Sequence, residues 1–409
     1  MRIYKLFSAN FIGFVLPALI GFFSIIYLQY KIEYAEFATL SFIFTILTIL
    51  GISDLGFSRI SARESAAFRL NKKNAGNVLD EISDVVICSL LLSIFIIIAL
   101  LCLVYFLLSD GIYKQYLYTL AISTPLFVLN SVFRGVSEGN NDFYFANFVK
   151  IFFSLIIFIF PVIQVIFFGE INFLNYIQIV IFIRFLTLIL FYYRNTNLLK
   201  GLVSCIFKFN SLKFNYLIEA PALAFGGILG SIIIFIERGI FESSFPAVYP
   251  IFFLAHEIII KAWIMPAALS LTVFPTLANI TKGSSKNKIY EYLPYITVMS
   301  LVIISLIPIF IYIISNSLEL PFTFPKSFYH LYFFMTIGVI IGSIAQTLNI
   351  YILASRQYLF IVKYSLFIFV IYFISLSIIG KVSILYFFVL WNLRYLADFI
   401  FIYIRFKKE

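Results

Sequence analysis

Twelve predominantly apolar stretches, most of them about twenty or more residues long, follow one another along this 409-residue chain. About twenty residues of α-helix cross the ~30 Å hydrocarbon core of a bilayer. In that medium each backbone donor must be satisfied within its own segment, which leaves helices as the spanning element. The stretches cover approximately 9–30, 37–56, 82–108, 115–136, 143–168, 175–193, 215–236, 247–277, 293–315, 331–354, 359–379 and 384–404. With 63% apolar residues, 12% charged residues and a mean hydropathy of +1.05, the chain carries about half the charge of a soluble domain. The expected fold class is an all-α polytopic membrane protein of about twelve transmembrane helices. They fall into two six-helix lobes, residues 1–200 and 201–409.

Charge sets the orientation. Of the 29 Lys and Arg, twenty-one fall in the segments that face one side, five in the loops of the other side and three within spans. Basic residues stay on the cytoplasmic side, so both termini are expected there. The net charge of +10 is thereby a topological signal, and no nucleic acid partner is expected. Arg2 and Lys5 precede the apolar run Phe11 to Leu28, which lacks a small-x-small cleavage site and reads as an uncleaved first span. Cys88, Cys102 and Cys205 have no metal, redox or disulfide spacing.

The widest inside loops are 57–81 and 194–214. The second carries Arg194, Lys200, Lys208 and Lys213, and reads as the linker between halves. Its GLVSCIFKF core suits a helix lying on the membrane surface. Pro17 to Ile26 (PALIGFFSII) and Pro221 to Ile233 (PALAFGGILGSII) form a faint parallel repeat in the first span of each half. Pro17, Pro125, Pro161, Pro221, Pro266 and Pro308 lie inside spans. The pairs Gly226/Gly230 and Gly338/Gly342 have the spacing that lets helices approach closely.

There are two histidines, His256 and His330, with no metal-binding cluster, no paired catalytic acids and no phosphate-binding loop. No catalytic residue, metal or cofactor is expected, and transport is the remaining business of such a chain. Intramembrane charge is then the site indicator, because each such group costs about 2.5–3.5 kcal/mol at mid-span. Arg184 lies in IQIVIFIRFLTLILFYY with no acid on its own helix and is expected to face a cavity. Lys261 follows Glu257 by one turn, which leaves a substrate contact and a structural ion pair equally open. Arg394 precedes Asp398 by one turn and reads as a structural pair. Arg134, beside Asn130, is a substrate contact or an interface anchor. Glu219 is a helix-start charge or a proton site, and Glu237 and Arg238 read as solvated at the outer edge. The stretch Gly51 to Lys73 releases Arg59, Arg63, Arg69, Lys72 and Lys73 just after a span. Arg59 and Arg63 there are candidate contacts for a lipid-borne anion, Asp54 is a candidate ion-coupling residue with Glu219 and Glu257, and a stop-transfer cluster is the other reading.

Two local patterns resemble the Wzx-type polysaccharide flippases of the MOP exporter superfamily. The first is YAEFATLSFIFTILTILGISDLGFSRISARESA, with a D-x-G-x-x-R-like exit at Asp54, Gly56 and Arg59. The second, Ile236 to Ala278, is similar to the family's seventh-to-eighth span hairpin, with Glu237, Arg238, Tyr249, Phe274 and Pro275 in the places of its acid–Arg pair, aromatic and closing F-P. The resemblance implies two lobes around a cavity that opens alternately to each side of the bacterial inner membrane. It implies an undecaprenyl-diphosphate-linked oligosaccharide as cargo, membrane lipids as partners and the polysaccharide polymerase as a further candidate partner. A cation-coupled exporter of the same superfamily would want acids deep in the first lobe, where only Asp54, at an edge, is found. A membrane glycosyltransferase or polymerase would need paired acids or a large outside loop.

Overall fold

A computed structural model describes residues 2–408 apart from 53, 71–73, 108–110, 201, 203–213, 260–262, 280–290 and most of 292–325, and leaves out some side chains within its helices. The described residues form helices joined by short turns, in two compact units, Met1–Leu223 and Ala224–Glu409.

The first unit contains α1 (Arg2–Lys31), α2 (Tyr34–Ile52), α3 (Phe57–Arg69), α4 (Ala75–Leu107), α5 (Gly111–Ile122), α6 (Thr124–Gly139), α7 (Phe143–Phe168), α8 (Phe173–Arg194) and α9 (Thr196–Leu199). The helix α10 (Tyr216–Ser244) begins in the first unit and continues into the second. There follow α11 (Tyr249–Ile259), α12 (Ile264–Leu277), α13 (Lys326–Ala354), α14 (Tyr358–Ile378) and α15 (Ile384–Lys408). Eight helices are long and apolar enough to cross a membrane, or nine if the bent pair α5–α6 is one span, among the described residues. The fourth expected span corresponds to α5 with α6; α2, at the second, and α11 and α12, at the eighth, are helical but are not among the helices that meet that length and apolarity. Most of the ninth, 293–315, lies outside the described residues, as do Cys205, Pro308 and most of the 194–214 linker.

In the first unit α1 lies along α7, and α6 is flanked by α3, α4 and α8. An apolar core of Leu28, Leu40, Ile43, Leu50, Leu117, Phe127 and Tyr176 joins α1, α2, α5, α6 and α8. The fourth span bends by 41° at Ser123, where Pro125 cannot donate to the helical ladder. In the second unit α13 lies along α15 and also contacts α11 and α12. Its core is aromatic, with Phe241, Phe252, Tyr332, Phe387, Phe388 and Trp391 packed together.

Two expectations about this framework change. Residues 57–69 are not an open loop: they form α3, in which ten residues from Phe57 to Ala67 are buried. Hydropathy misses α3 because Ser, Ala and ion-paired residues outnumber Phe57 and Ile60 among its buried side chains. Among the described residues the Gly226/Gly230 pair meets no close helix approach, since no described atom lies within 4 Å of a Cβ placed at either. Gly338 and Gly342 do, against Trp391, Tyr395 and Trp263. Another pair, Gly135 and Gly139 on α6, packs against backbone: a Cβ would stand 2.2 Å and 2.4 Å from the carbonyl oxygens of Ser58 and Ala62 on α3.

Candidate functional site

The site starts at the break between α2 and α3. The Asp54 carboxylate accepts from the backbone amides of Gly56 at 3.5 Å and Ser58 at 3.3 Å. It thereby satisfies donors that the first turn of a helix leaves without intrahelical partners. Gly56 holds φ at 93°, and a Cβ there would lie 2.4 Å from the Ala220 carbonyl oxygen at the start of α10. The D-x-G-x-x-R spacing is therefore a helix restart. Asp54 caps, Gly56 makes the turn, and Arg59 is delivered in the first turn of α3.

One turn further on, Arg63 is 3% exposed and holds two carboxylates. Its Nε donates to Glu64 Oε1 at 2.7 Å, and Nη1 and Nη2 both donate to the Glu219 carboxylate. Arg63 and Glu219, singled out on separate grounds, are thus brought together. The pairing ties α3 to the first turn of α10, and desolvated charges of this kind persist when they are paired and hydrogen-bonded.

A second group surrounds Glu138. On α6, Arg134 Nε lies 3.4 Å from Glu138 Oε1. Glu138, 5% exposed, also lies in the electrostatic field of Arg59, Lys150 and Asp54. Lys150 on α7 faces Arg134 and Glu138, and its Nζ sits 3.1 Å above the Phe14 ring. Arg184 on α8 is close enough to Arg134 for their like charges to act on each other. Its guanidinium stacks 3.4 Å over Phe153 and 4.8 Å from Phe127, and its buried Nε has no hydrogen-bond partner. No carboxylate pairs with it among the described residues. Ring faces offset part of the cost of a desolvated cation. The Arg184 carbonyl accepts from Asn130 Nδ2 at 3.0 Å, which fixes α8 against α6 one turn from Arg134.

Sequence reasoning singled out Arg59, Arg134 and Arg184 but missed Lys150 and Glu138. The position of Lys150 inside the run 143–168, and the four-residue spacing of Arg134 and Glu138, were the available signals. Lys261 lies outside the described residues, and of Glu257 only the backbone, in α11, is described.

The second unit holds a separate buried network. Glu237 is fully buried, not solvated at an edge. Its Oε1 accepts from Arg394 Nη1 at 2.6 Å and from the Tyr372 hydroxyl at 2.8 Å. His256 Nε2 stands 3.6 Å from Glu237 Oε2, and Arg238 Nε donates to His256 Nδ1 at 3.3 Å. Arg394 takes this contact across helices, while Asp398, its expected partner one turn away on α15, still lies in its electrostatic field. Inspecting α15 alone could not reveal it, because the better partner comes from α10. No group of three or more potential metal ligands occurs among the described residues.

No protein-family profile matches the chain. It is 26% identical over 302 residues to a protein of Shigella flexneri described as "Putative O-antigen transporter", covering 68% of each chain. Its fold is similar to an outward-facing multidrug resistance MATE family transporter of the MOP superfamily, with a TM-score of 0.75 at 13% identity over 99% of this chain and 95% of that one. It is also similar to a MOP superfamily transporter from Pyrococcus furiosus, described as having a binding pocket of reverse polarity that suggests a different function. There the TM-score is 0.71 at 13% identity, with 99% and 95% covered. The chain is a multi-pass helical membrane protein with the fold of the MOP-superfamily transporters, the superfamily its sequence resembles.

Proposed function

We propose that this protein is a flippase that moves undecaprenyl-diphosphate-linked oligosaccharide repeat units across the bacterial inner membrane for surface polysaccharide assembly. It works by alternating access, with residues 1–200 and 201–409 as its lobes and both termini in the cytoplasm. The observation that carries this reading is the group Arg59, Arg134, Lys150 and Arg184, four cations drawn from four helices of one unit. Guanidinium forks match phosphate oxygens in charge and geometry. Arg184, with no carboxylate of its own among the described residues, has most to gain from an anionic cargo. The name of the Shigella flexneri relative agrees with a polysaccharide-related cargo. Membrane lipids and the polysaccharide polymerase are the further partners of this reading.

The test is the fate of the lipid-linked repeat unit in a deletion strain. The complete unit should accumulate on the inner leaflet, inaccessible to an impermeant sugar-binding probe, while surface polymer is lost. A truncated unit would point to a glycosyltransferase, and complete single units exposed outside to a polymerase. An unchanged surface with altered drug sensitivity would favour an exporter.

A further inference from the structure

The cation group is not purely cationic, and its carboxylate is placed where a ligand anion would be expected. Glu138 is buried, 3.4 Å from Arg134 Nε and in the field of Arg59 and Lys150. The close packing of α6 on α3 at Gly135 and Gly139 holds it there, because Glu138 neighbours Gly139 and Arg59 neighbours Ser58. The surrounding charges can be counted. Arg59, Arg134, Lys150 and Arg184 are opposed by Glu138 and Asp54, and Asp54 is committed to the α3 cap. Counted at their formal charges, two positive charges remain uncompensated.

A diphosphate esterified at both ends carries two negative charges. The same lipid with a free terminal phosphate carries a third above about pH 6, where a phosphate monoester loses its second proton. In a partly desolvated site one charge too many is costly, because the Coulomb energy is weakly screened and the excess charge has lost its hydration.

We propose that Glu138 sets the charge this site accepts, so that it takes a diphosphate linked to sugar on one side and lipid on the other and disfavours the sugar-free lipid diphosphate. This rests on the reading that the cation group binds the cargo's diphosphate. Its consequence is directional. Any reaction that transfers the sugar off its carrier leaves a free lipid diphosphate, which the site would then decline to carry back.

The test is direct binding at pH 8 to the purified full-length protein in lipid nanodiscs. The probes are undecaprenyl diphosphate and undecaprenyl diphosphate bearing one N-acetylhexosamine. Wild type should prefer the sugar-bearing lipid roughly tenfold, and Glu138→Gln should narrow that preference to about threefold or less. Glu138→Asp, which keeps the charge, should retain it. Lys150→Gln, which removes one positive charge, should widen it, and serves as the measurement if Glu138→Gln does not fold. A carboxylate that merely braced α6 would leave the ratio between the probes unchanged. The proposal is overturned if wild type shows no preference, if Glu138→Gln keeps the wild-type ratio, or if Lys150→Gln narrows it. The underlying site reading fails separately if Arg184→Ala binds both probes as wild type does, or if wild type binds neither.

Discussion

Glu237 and Arg394 stand 157 residues apart in the chain and 2.6 Å apart in the fold. The carboxylate is fully buried, the guanidinium is nearly so, and the Tyr372 hydroxyl completes the contact. Breaking a buried pair by neutralising one partner leaves an unmatched charge, at a cost of about 3–5 kcal/mol. Glu237→Gln should therefore lower the thermal unfolding midpoint in detergent markedly, followed by tryptophan fluorescence. The double variant Glu237→Gln with Arg394→Gln should recover part of the loss. A single variant that unfolds at the wild-type temperature would show the pair to be dispensable.

Arg184 is predicted to matter for transport and not for folding. Ring contacts with Phe153 and Phe127 are its described side-chain interactions, so Arg184→Ala removes little packing. Protein level in the membrane should stay near normal while surface polymer falls sharply. Arg184→Lys should rescue in part, since lysine keeps the charge but loses the bidentate fork. Full activity of Arg184→Ala would make the residue scaffolding.

The glycines separate by what surrounds them. Gly135→Ala places a methyl 2.2 Å from the Ser58 carbonyl oxygen, and Gly56→Ala combines a clash at 2.4 Å with a φ of 93°. Both contacts are with backbone, which cannot swing aside, so folded yield on detergent size-exclusion chromatography should drop for each. Gly226→Ala meets no described atom within 4 Å and should behave as wild type or slightly better, given the higher helix propensity of alanine. Equal yields for Gly135→Ala and Gly226→Ala would contradict the α3–α6 packing.

Orientation is testable by labelling. In a background without Cys88, Cys102 and Cys205, single cysteines replacing Asn71, Ser211 or Ser284 should be shielded from an impermeant thiol reagent in intact cells. Cysteines replacing Gly169 or Ser317 should react. Labelling at residue 211 but not at 169 would reverse the topology.

The sequence by itself determined the fold class and the principal helices. A span needs a long apolar run, and the apolar runs at 143–168 and 175–193 correspond closely to α7 and α8. It also marks Arg184 as a candidate, because a cation among aliphatic and aromatic residues is anomalous wherever its helix ends up. What it left open follows from the same physics. The run of arginines after Asp54 looked like a loop, since burial in α3 is sustained by ion pairs and glycine contacts that no hydropathy measure registers. Arg394 lies one turn from Asp398 in sequence, yet its ion-pair partner is Glu237 on another helix. Glu138 and Lys150 gained significance once α3, α6, α7 and α8 were packed together. Composition decides that a segment enters the bilayer, because that depends on its summed transfer energy. Partnership between charges depends on distances of a few ångströms between helices far apart in the chain, and the tertiary structure alone decided those.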